Sequence, residues 1–238
     1  MGSIKDLKIK IFADGADISD IKEAYQGGIA KGFTTNPSLM KKSGVSDYEA
    51  FAKKVLAIVP DLPVSFEVFS DDFSGMEREA IKISGWGKNV NVKIPITNTK
   101  GEPSLALVRK LSAQGLFLNV TAIMTVEQVR AVAQVLNLKS RTIISVFAGR
   151  IADTGRDPIP YMKECAAILK ANPNAQLLWA SSRETLNIFQ AEECGCHIIT
   201  VTPDILKKMS VIEKDLSLFS LETVKAFHKD AVSSGYSI

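Results

Sequence analysis

Apolar residues recur along this chain in two alternating rhythms. Short runs rich in β-branched and aromatic residues fall near positions 9–13, 31–34, 63–67, 90–94, 116–120, 142–146, 176–180 and 197–201, and they read as strands. Between them, residues 48–59, 76–86, 104–114, 126–136, 159–169 and 185–192 place apolar side chains at helical spacing. Strand and helix alternating in this way predict parallel βαβ units, and eight strands of this kind fit a closed (β/α)8 barrel, the TIM-barrel form of the α/β class. An open doubly wound sheet would carry a glycine-rich phosphate turn after its first strand. Asp14-Gly15-Ala16-Asp17 stands there instead and supplies none.

Helix starts are marked at Asp157-Pro158 and Thr202-Pro203, where a capping side chain precedes a first-turn proline, and at Gly101-Glu102-Pro103-Ser104. Gly85-Trp86-Gly87 precedes a strand and therefore closes a helix. No linker or low-complexity segment breaks the chain, so residues 1–238 read as one barrel domain, with 211–238 as a C-terminal helical extension. In that extension Leu221, Val224, Phe227, Ala231 and Val232 lie near helical spacing in a segment running from Leu216 to Tyr236. It is one helix more than the barrel needs.

Composition narrows the partners. Hydrophobic content of 46%, charged content of 23% and a formal net charge of +3 spread along the chain are ordinary for a globular protein, and nucleic acid is not expected as a partner. No apolar run approaches the roughly 18 residues that span a bilayer. The start Met1-Gly2-Ser3-Ile4-Lys5-Asp6 lacks an apolar signal region, and Asp6 stands where a myristoylation motif needs Ser or Thr. With three cysteines, Cys165, Cys194 and Cys196, the expectation is a cytoplasmic protein without a membrane partner. Cys194-Gly195-Cys196-His197 has no second cluster to complete a metal site, because His228 is the only other histidine; a helix end entering a strand explains it, and no metal is expected.

The candidate chemistry centres on the fourth strand. Val90, Val92 and Ile94 point to one face, Asn91 and Lys93 to the other, and Pro95 ends the run. If the valine face packs under helices, Lys93 lies on the sheet's inner surface, where a lone ammonium is costly. An amine kept partly neutral there is a nucleophile towards carbonyls and forms a Schiff base. An exposed edge-strand lysine and a structural ion pair are the alternatives. The other strands also end in chemistry-bearing residues: Asp14, Thr34-Thr35-Asn36, Glu67, Asn119 with Thr121, Ser145, and Ser181-Ser182. In a barrel these carboxyl ends share one rim, where such folds keep their active sites.

Thr34-Thr35-Asn36-Pro37-Ser38, Val92-Lys93-Ile94-Pro95, Leu118-Asn119-Val120-Thr121-Ala122 and Val146-Phe147-Ala148-Gly149-Arg150-Ile151, in this order, resemble the small transaldolases and the related fructose-6-phosphate aldolases. The resemblance runs from about Ile11 to Met209. It implies that Lys93 attacks a ketose carbonyl, that Asp14 handles the proton on the C4 hydroxyl, and that Glu67 and Thr121 position a water for proton transfer. Asn36 and Asn119 would hold the dihydroxyacetone hydroxyls, with Thr34 and Ser145 beside them. Arg150 and Ser182 correspond to phosphate ligands. The family often has an arginine two residues beyond that serine, whereas here Arg183 follows directly and Glu184 comes next; either Arg183 turns in, or Arg150 grips the phosphate with help from Arg156. At Phe147 the transaldolases carry phenylalanine and the aldolases tyrosine.

The activity so implied is transfer of a dihydroxyacetone unit from a ketose phosphate, fructose 6-phosphate or sedoheptulose 7-phosphate, to an aldose phosphate, erythrose 4-phosphate or glyceraldehyde 3-phosphate, without a cofactor. Release of free dihydroxyacetone is the alternative, and a non-catalytic sugar-phosphate-binding barrel is a third. The resemblance also implies a homo-oligomer, a pentamer or decamer, assembled through the C-terminal helix.

Overall fold

A computed structural model describes residues 7–235 of the chain. Eight parallel strands close into a barrel in sequence order: β1 (Lys10–Asp14), β2 (Phe33–Thr34), β3 (Val64–Glu67), β4 (Val90–Pro95), β5 (Leu118–Ile123), β6 (Thr142–Val146), β7 (Ala175–Trp179) and β8 (Ile198–Val201), with β8 pairing back onto β1. The open-sheet alternative is thereby excluded. Around the barrel run α1 (Ile18–Gln26), α2 (Pro37–Lys42), α3 (Tyr48–Ile58), α4 (Phe73–Ser84), α5 (Leu105–Ala113), α6 (Val126–Val135), α7 (Ala148–Asp153), α8 (Pro158–Leu169), α9 (Leu186–Glu193) and α10 (Pro203–Lys208).

Strand alternation sorts the core into two zones. Side chains such as Val64, Phe66, Val90, Val92, Ile94, Leu118 and Val120 point outward and pack under the helices in the main core. The lumen carries the opposite set: Phe12, Ile143, Leu178, Ala180 and Ile198 form a separate apolar plug across its middle. Polar residues occupy the lumen above it. The two zones follow from the two-residue period of a strand that is buried on both faces.

Several local expectations meet corrections. The second strand is only two residues long, and Gly32 just before it must lack a side chain, since an added Cβ would lie 2.5 Å from the Phe12 ring. Helices α1 and α2 are additions to the expected set; side-chain caps start them, Asp17 accepting from Ser19 N at 2.8 Å and Asn36 from Leu39 N at 2.9 Å. Asp157 does cap α8, accepting from Ile159 N at 3.0 Å. Thr202 and Ser104 do not cap with their side chains; the Ser104 hydroxyl instead donates to Pro95 O at 2.7 Å and ties the start of α5 to the end of β4. Gly85 closes α4 as expected, and Cys194 closes α9 ahead of β8.

The extra helix, α11 (Leu216–Ser233), starts on the Asp215 side chain, which accepts from Leu218 N at 2.9 Å. It buries none of its residues: Leu216 is 80% exposed and Phe227 69%. Its expected extension to Tyr236 lies outside the described residues. Among the described residues no helix is long and apolar enough to cross a membrane.

Candidate active site

The carboxyl ends of the strands enclose a cavity of about 460 Å³, within the usual range for small-molecule sites. Lys93 reaches it from β4. The side chain is buried, with the residue 6% exposed, and it is not a lone ammonium: its Nζ lies 3.1 Å from Glu67 Oε2 and donates to Thr35 O at 2.8 Å. The pairing follows from register, because Glu67 on β3 is the direct neighbour of Lys93, and Asn119 on β5 is its neighbour on the other side. The ion-pair alternative is realised, and it does not remove the lysine from the cavity that both residues line.

Asp14 closes the opposite side of this rim. Its Oδ1 accepts from Thr34 Oγ1 at 2.8 Å, and Thr34 Oγ1 lies 2.6 Å from Thr200 Oγ1. With its one proton given to Asp14, the Thr34 hydroxyl must accept from Thr200, so a relay of two hydroxyls orients the carboxyl. Burial raises the Asp14 pKa above the ordinary carboxylate value; Lys93 and the Thr34 hydrogen bond pull it down by less, and Glu67 adds a further push upward. A carboxyl whose neutral form is favoured in this way is suited both to take and to return a proton.

Glu67 is placed by a residue the pattern did not single out. The Tyr48 hydroxyl, on α3, accepts from Glu67 N at 2.7 Å and donates to Glu67 O at 3.0 Å. Its ring packs edge-on against Phe66 and Trp86, at 6.1 and 5.3 Å between centroids. A tyrosine inside an outer helix looks like core filling in a sequence, and only the fold brings its hydroxyl to the end of β3.

On the next strands Ser145 Oγ donates to Asn119 Oδ1 at 2.7 Å, and Asn119 Nδ2 donates to Ser65 Oγ at 3.2 Å, which fixes the amide in the lumen. Asn36 lines the cavity with its Oδ1 already used as the α2 cap, so its Nδ2 is the group free to meet a ligand oxygen. Thr121 also lines it, beside a register shift between Val120 and Ile123 where Ala122 takes a left-handed φ of 61°. Ser181 takes φ 64° at the end of β7. Two strained non-glycine residues in one cavity wall are the kind of backbone irregularity that collects at functional sites, and neither is visible in a sequence pattern.

The phosphate end departs from expectation. Arg150 lines the cavity, its guanidinium 5.6 Å from the centroid of the Phe147 ring, which lines it too. Ser182 and Arg183 do not. The Ser182 hydroxyl is turned to Thr200 O at 2.9 Å, and Ser181 stands in the cavity wall in its place. The Arg183 guanidinium forms a two-pronged ion pair with exposed Asp153, through Nε at 2.9 Å, and donates from Nη1 to Ser181 O at 3.0 Å. Arg156 also faces away, donating to Thr154 Oγ1. Gly149 makes this corner possible: an added Cβ would lie 1.6 Å from Ser181 O, so only glycine lets α7 carry Arg150 so close to β7.

Comparison with known proteins bears on what this arrangement serves. The family model described as Transaldolase/Fructose-6-phosphate aldolase matches residues 11–237. The chain belongs to the transaldolase/fructose-6-phosphate aldolase family. A probable transaldolase of Dehalococcoides mccartyi is 34% identical over 202 residues, covering 84% of this chain and 90% of that protein. One of Caldicellulosiruptor saccharolyticus is 37% identical over 204 residues, covering 85% of this chain and 89% of that protein. Among solved structures, a monomeric dihydrodipicolinate synthase variant superposes with a TM-score of 0.59 at 11% identity, covering 97% of this chain and 82% of that one, a likeness of fold alone. Within this transaldolase-type barrel, no cluster of His, Cys, Asp and Glu suited to a metal ion occurs among the described residues.

The Asp14 environment gives a pH test. Its folded-state pKa is raised, so the fold favours the neutral carboxyl, and the group's contribution to stability is complete below its unfolded value of about 3.9. That contribution is lost as pH rises through the folded value. Asp14→Asn, neutral at every pH, should therefore raise the thermal midpoint at pH 7–8 relative to the parent and lose that advantage near pH 4. Thermal unfolding of both proteins across this range checks it, and an advantage at pH 7–8 no larger than at pH 4 would contradict the assignment.

Proposed function

We propose that this protein is a Schiff-base transaldolase that moves a dihydroxyacetone unit between sugar phosphates. The observation that carries the reading is the buried Lys93 amine 3.1 Å from the Glu67 carboxylate, in a cavity that also holds Asp14. Glu67 accepts the ammonium proton, and the freed amine attacks the ketose carbonyl to give a carbinolamine. Loss of water, with Glu67 and Thr121 orienting the water that moves the proton, gives an iminium. Asp14 then takes the proton of the C4 hydroxyl. The C3–C4 bond breaks, its electron pair flows to the iminium, and an enamine of dihydroxyacetone stays on Lys93 while the aldose leaves. An acceptor aldehyde reverses these steps: the enamine carbon attacks, Asp14 returns its proton to the new hydroxyl, and hydrolysis frees Lys93.

Asn36, Asn119 and Ser145 suit the hydroxyls of the three-carbon unit, and Arg150 suits the phosphate of either sugar. Fructose 6-phosphate or sedoheptulose 7-phosphate as donor, and erythrose 4-phosphate or glyceraldehyde 3-phosphate as acceptor, are consistent with a cavity of this size. Phe147 favours transfer over release. Freeing dihydroxyacetone requires protonating the enamine carbon, and a phenyl ring in the wall offers no hydroxyl to supply or orient that proton. The exposed apolar face of α11, with Leu221, Val224 and Phe227, suits burial against a neighbouring copy in a pentamer or decamer.

Borohydride reduction in the presence of fructose 6-phosphate should leave the adduct mass on the peptide that contains Lys93 and abolish activity; mass on any other peptide, or none, rejects the mechanism. Phe147→Tyr should raise the rate of dihydroxyacetone release several-fold and lower transfer to erythrose 4-phosphate, measured with coupled assays for the two products. If the parent already releases dihydroxyacetone as fast as it transfers it, the aldolase reading replaces this one. Truncation before Leu216 should reduce the particle mass by light scattering, and an unaltered mass would remove α11 from assembly.

A further inference from the structure

The barrel has a second chemical end. The alternation that puts Asp14, Lys93 and Ser145 at the carboxyl rim puts Lys10 of β1, Asn91 of β4 and Arg141, the residue before β6, at the opposite mouth, two to four residues earlier. A cavity of about 290 Å³ opens there, lined by Lys10, Lys31, Asn91, Arg141 and Gln176 below the apolar plug of Phe12 and Ile143. Three cations line it and no carboxylate does. Among the described residues none of the three takes part in an ion pair, although seven other pairs form elsewhere on the protein. The Arg141 guanidinium is stacked 4.5 Å from the centroid of the Phe117 ring, which fixes its plane and leaves its N–H edge available. Lys31 is tied at the mouth by donating to Gly28 O at 2.8 Å.

Asn91 supplies the independent sign of a ligand. It is 1% exposed, it lines this cavity, and its Nδ2 has no hydrogen-bond partner. A buried amide N–H without an acceptor costs about 1–3 kcal/mol, a cost that an acceptor oxygen in the cavity would offset. An oxyanion seated between Lys10 and Arg141 would accept from it. We propose that the amino-terminal mouth of the barrel is a second anion site, separate from the substrate cavity, that takes a phosphate group. A planar arginine fork, two ammonium groups and one amide donor match the charge and the several acceptor oxygens of a phosphate dianion. Its source is either free phosphate or the phosphate of a small phosphorylated metabolite.

The test uses the full-length protein with Arg150→Ala, which removes the cation proposed to hold phosphate at the carboxyl rim. Inorganic phosphate should still raise the thermal midpoint of this variant in a saturable way, and a chloride control at equal ionic strength should not. Adding Arg141→Ser to the same background should weaken the apparent affinity at least tenfold. In the protein with Arg150 intact, Lys10→Ser should weaken the phosphate response while leaving turnover unchanged, which separates this site from the catalytic one. Asn91→Asp gives a readout that a merely structural role would not. By building an anion beside Lys10 and Arg141, it should raise the midpoint without phosphate and abolish the phosphate response. Comparison of inorganic phosphate with glycerol 3-phosphate distinguishes the sources: a larger response to the first assigns the free ion, and to the second a phosphorylated metabolite. No saturable response in Arg150→Ala, or an undiminished response in Arg141→Ser or in Asn91→Asp, overturns the proposal.

Discussion

An ammonium group inside a closed sheet is tolerable only with a partner at hydrogen-bonding distance, and that requirement organises the upper half of this barrel. Lys93 projects into the lumen because β4 buries Val92 and Ile94 on its other face. Its charge is met by Glu67 on the adjacent strand and by the Thr35 carbonyl at the end of β2. Removing one member of a buried pair costs about 3–5 kcal/mol, since the other charge is left uncompensated. Glu67 is therefore held twice, through the lysine and through Tyr48, whose hydroxyl brackets its backbone N–H and C=O. The same pair that solves a desolvation problem brings an amine and a proton acceptor together beside an open cavity.

The rest of the rim is graded in polarity around that pair. Asp14 lies where burial outweighs the attraction of Lys93, so one carboxyl of the site leans towards its neutral form while the other is held in an ion pair. Two carboxylates with different environments can do different work, and the gradient comes from position on the rim. At the far wall the backbone takes the strain. Ala122 and Ser181 adopt left-handed conformations, and Gly149 gives up its side chain, so that α7 can approach β7 and aim Arg150 inward. Arg183, one residue along from Ser182, meets Asp153 outside the cavity.

The two ends of the lumen follow one rule. Along β1, β4 and β6 every second residue faces inward, so each strand that offers a group to the substrate cavity also offers one to the opposite mouth. The apolar plug of Phe12, Ile143, Leu178 and Ile198 separates them. Charges of both signs line the cavity above this layer, and among the described residues only cations line the one below it, which makes the two mouths chemically distinct although the same strands build them.

How much of this was legible in the chain depends on the range of the interaction. The eight strands, the barrel and the inward lysine could be read from alternation, because a strand's period of two and a helix's period near 3.6 are local properties of the backbone. Asp14, Thr34, Asn36, Glu67, Asn119, Thr121 and Ser145 could be placed on one rim because strand ends in a barrel converge, while Phe147 and Arg150 came from the family resemblance; all nine line the cavity. Helices α1 and α2 stayed hidden although α1 places Ile18, Ile21, Ala24 and Tyr25 at helical spacing, because both are short, nine and six residues. Tyr48, Ser65 and Thr200 also stayed hidden, because their roles rest on contacts between different strands and helices that no sequence spacing encodes. The orientation of Ser182 towards β8 and of Arg183 towards Asp153 was likewise a tertiary decision. Adjacent residues at a strand end alternate in direction, and which one faces the cavity is set by the backbone twist at Ser181, a geometry that only the assembled barrel imposes.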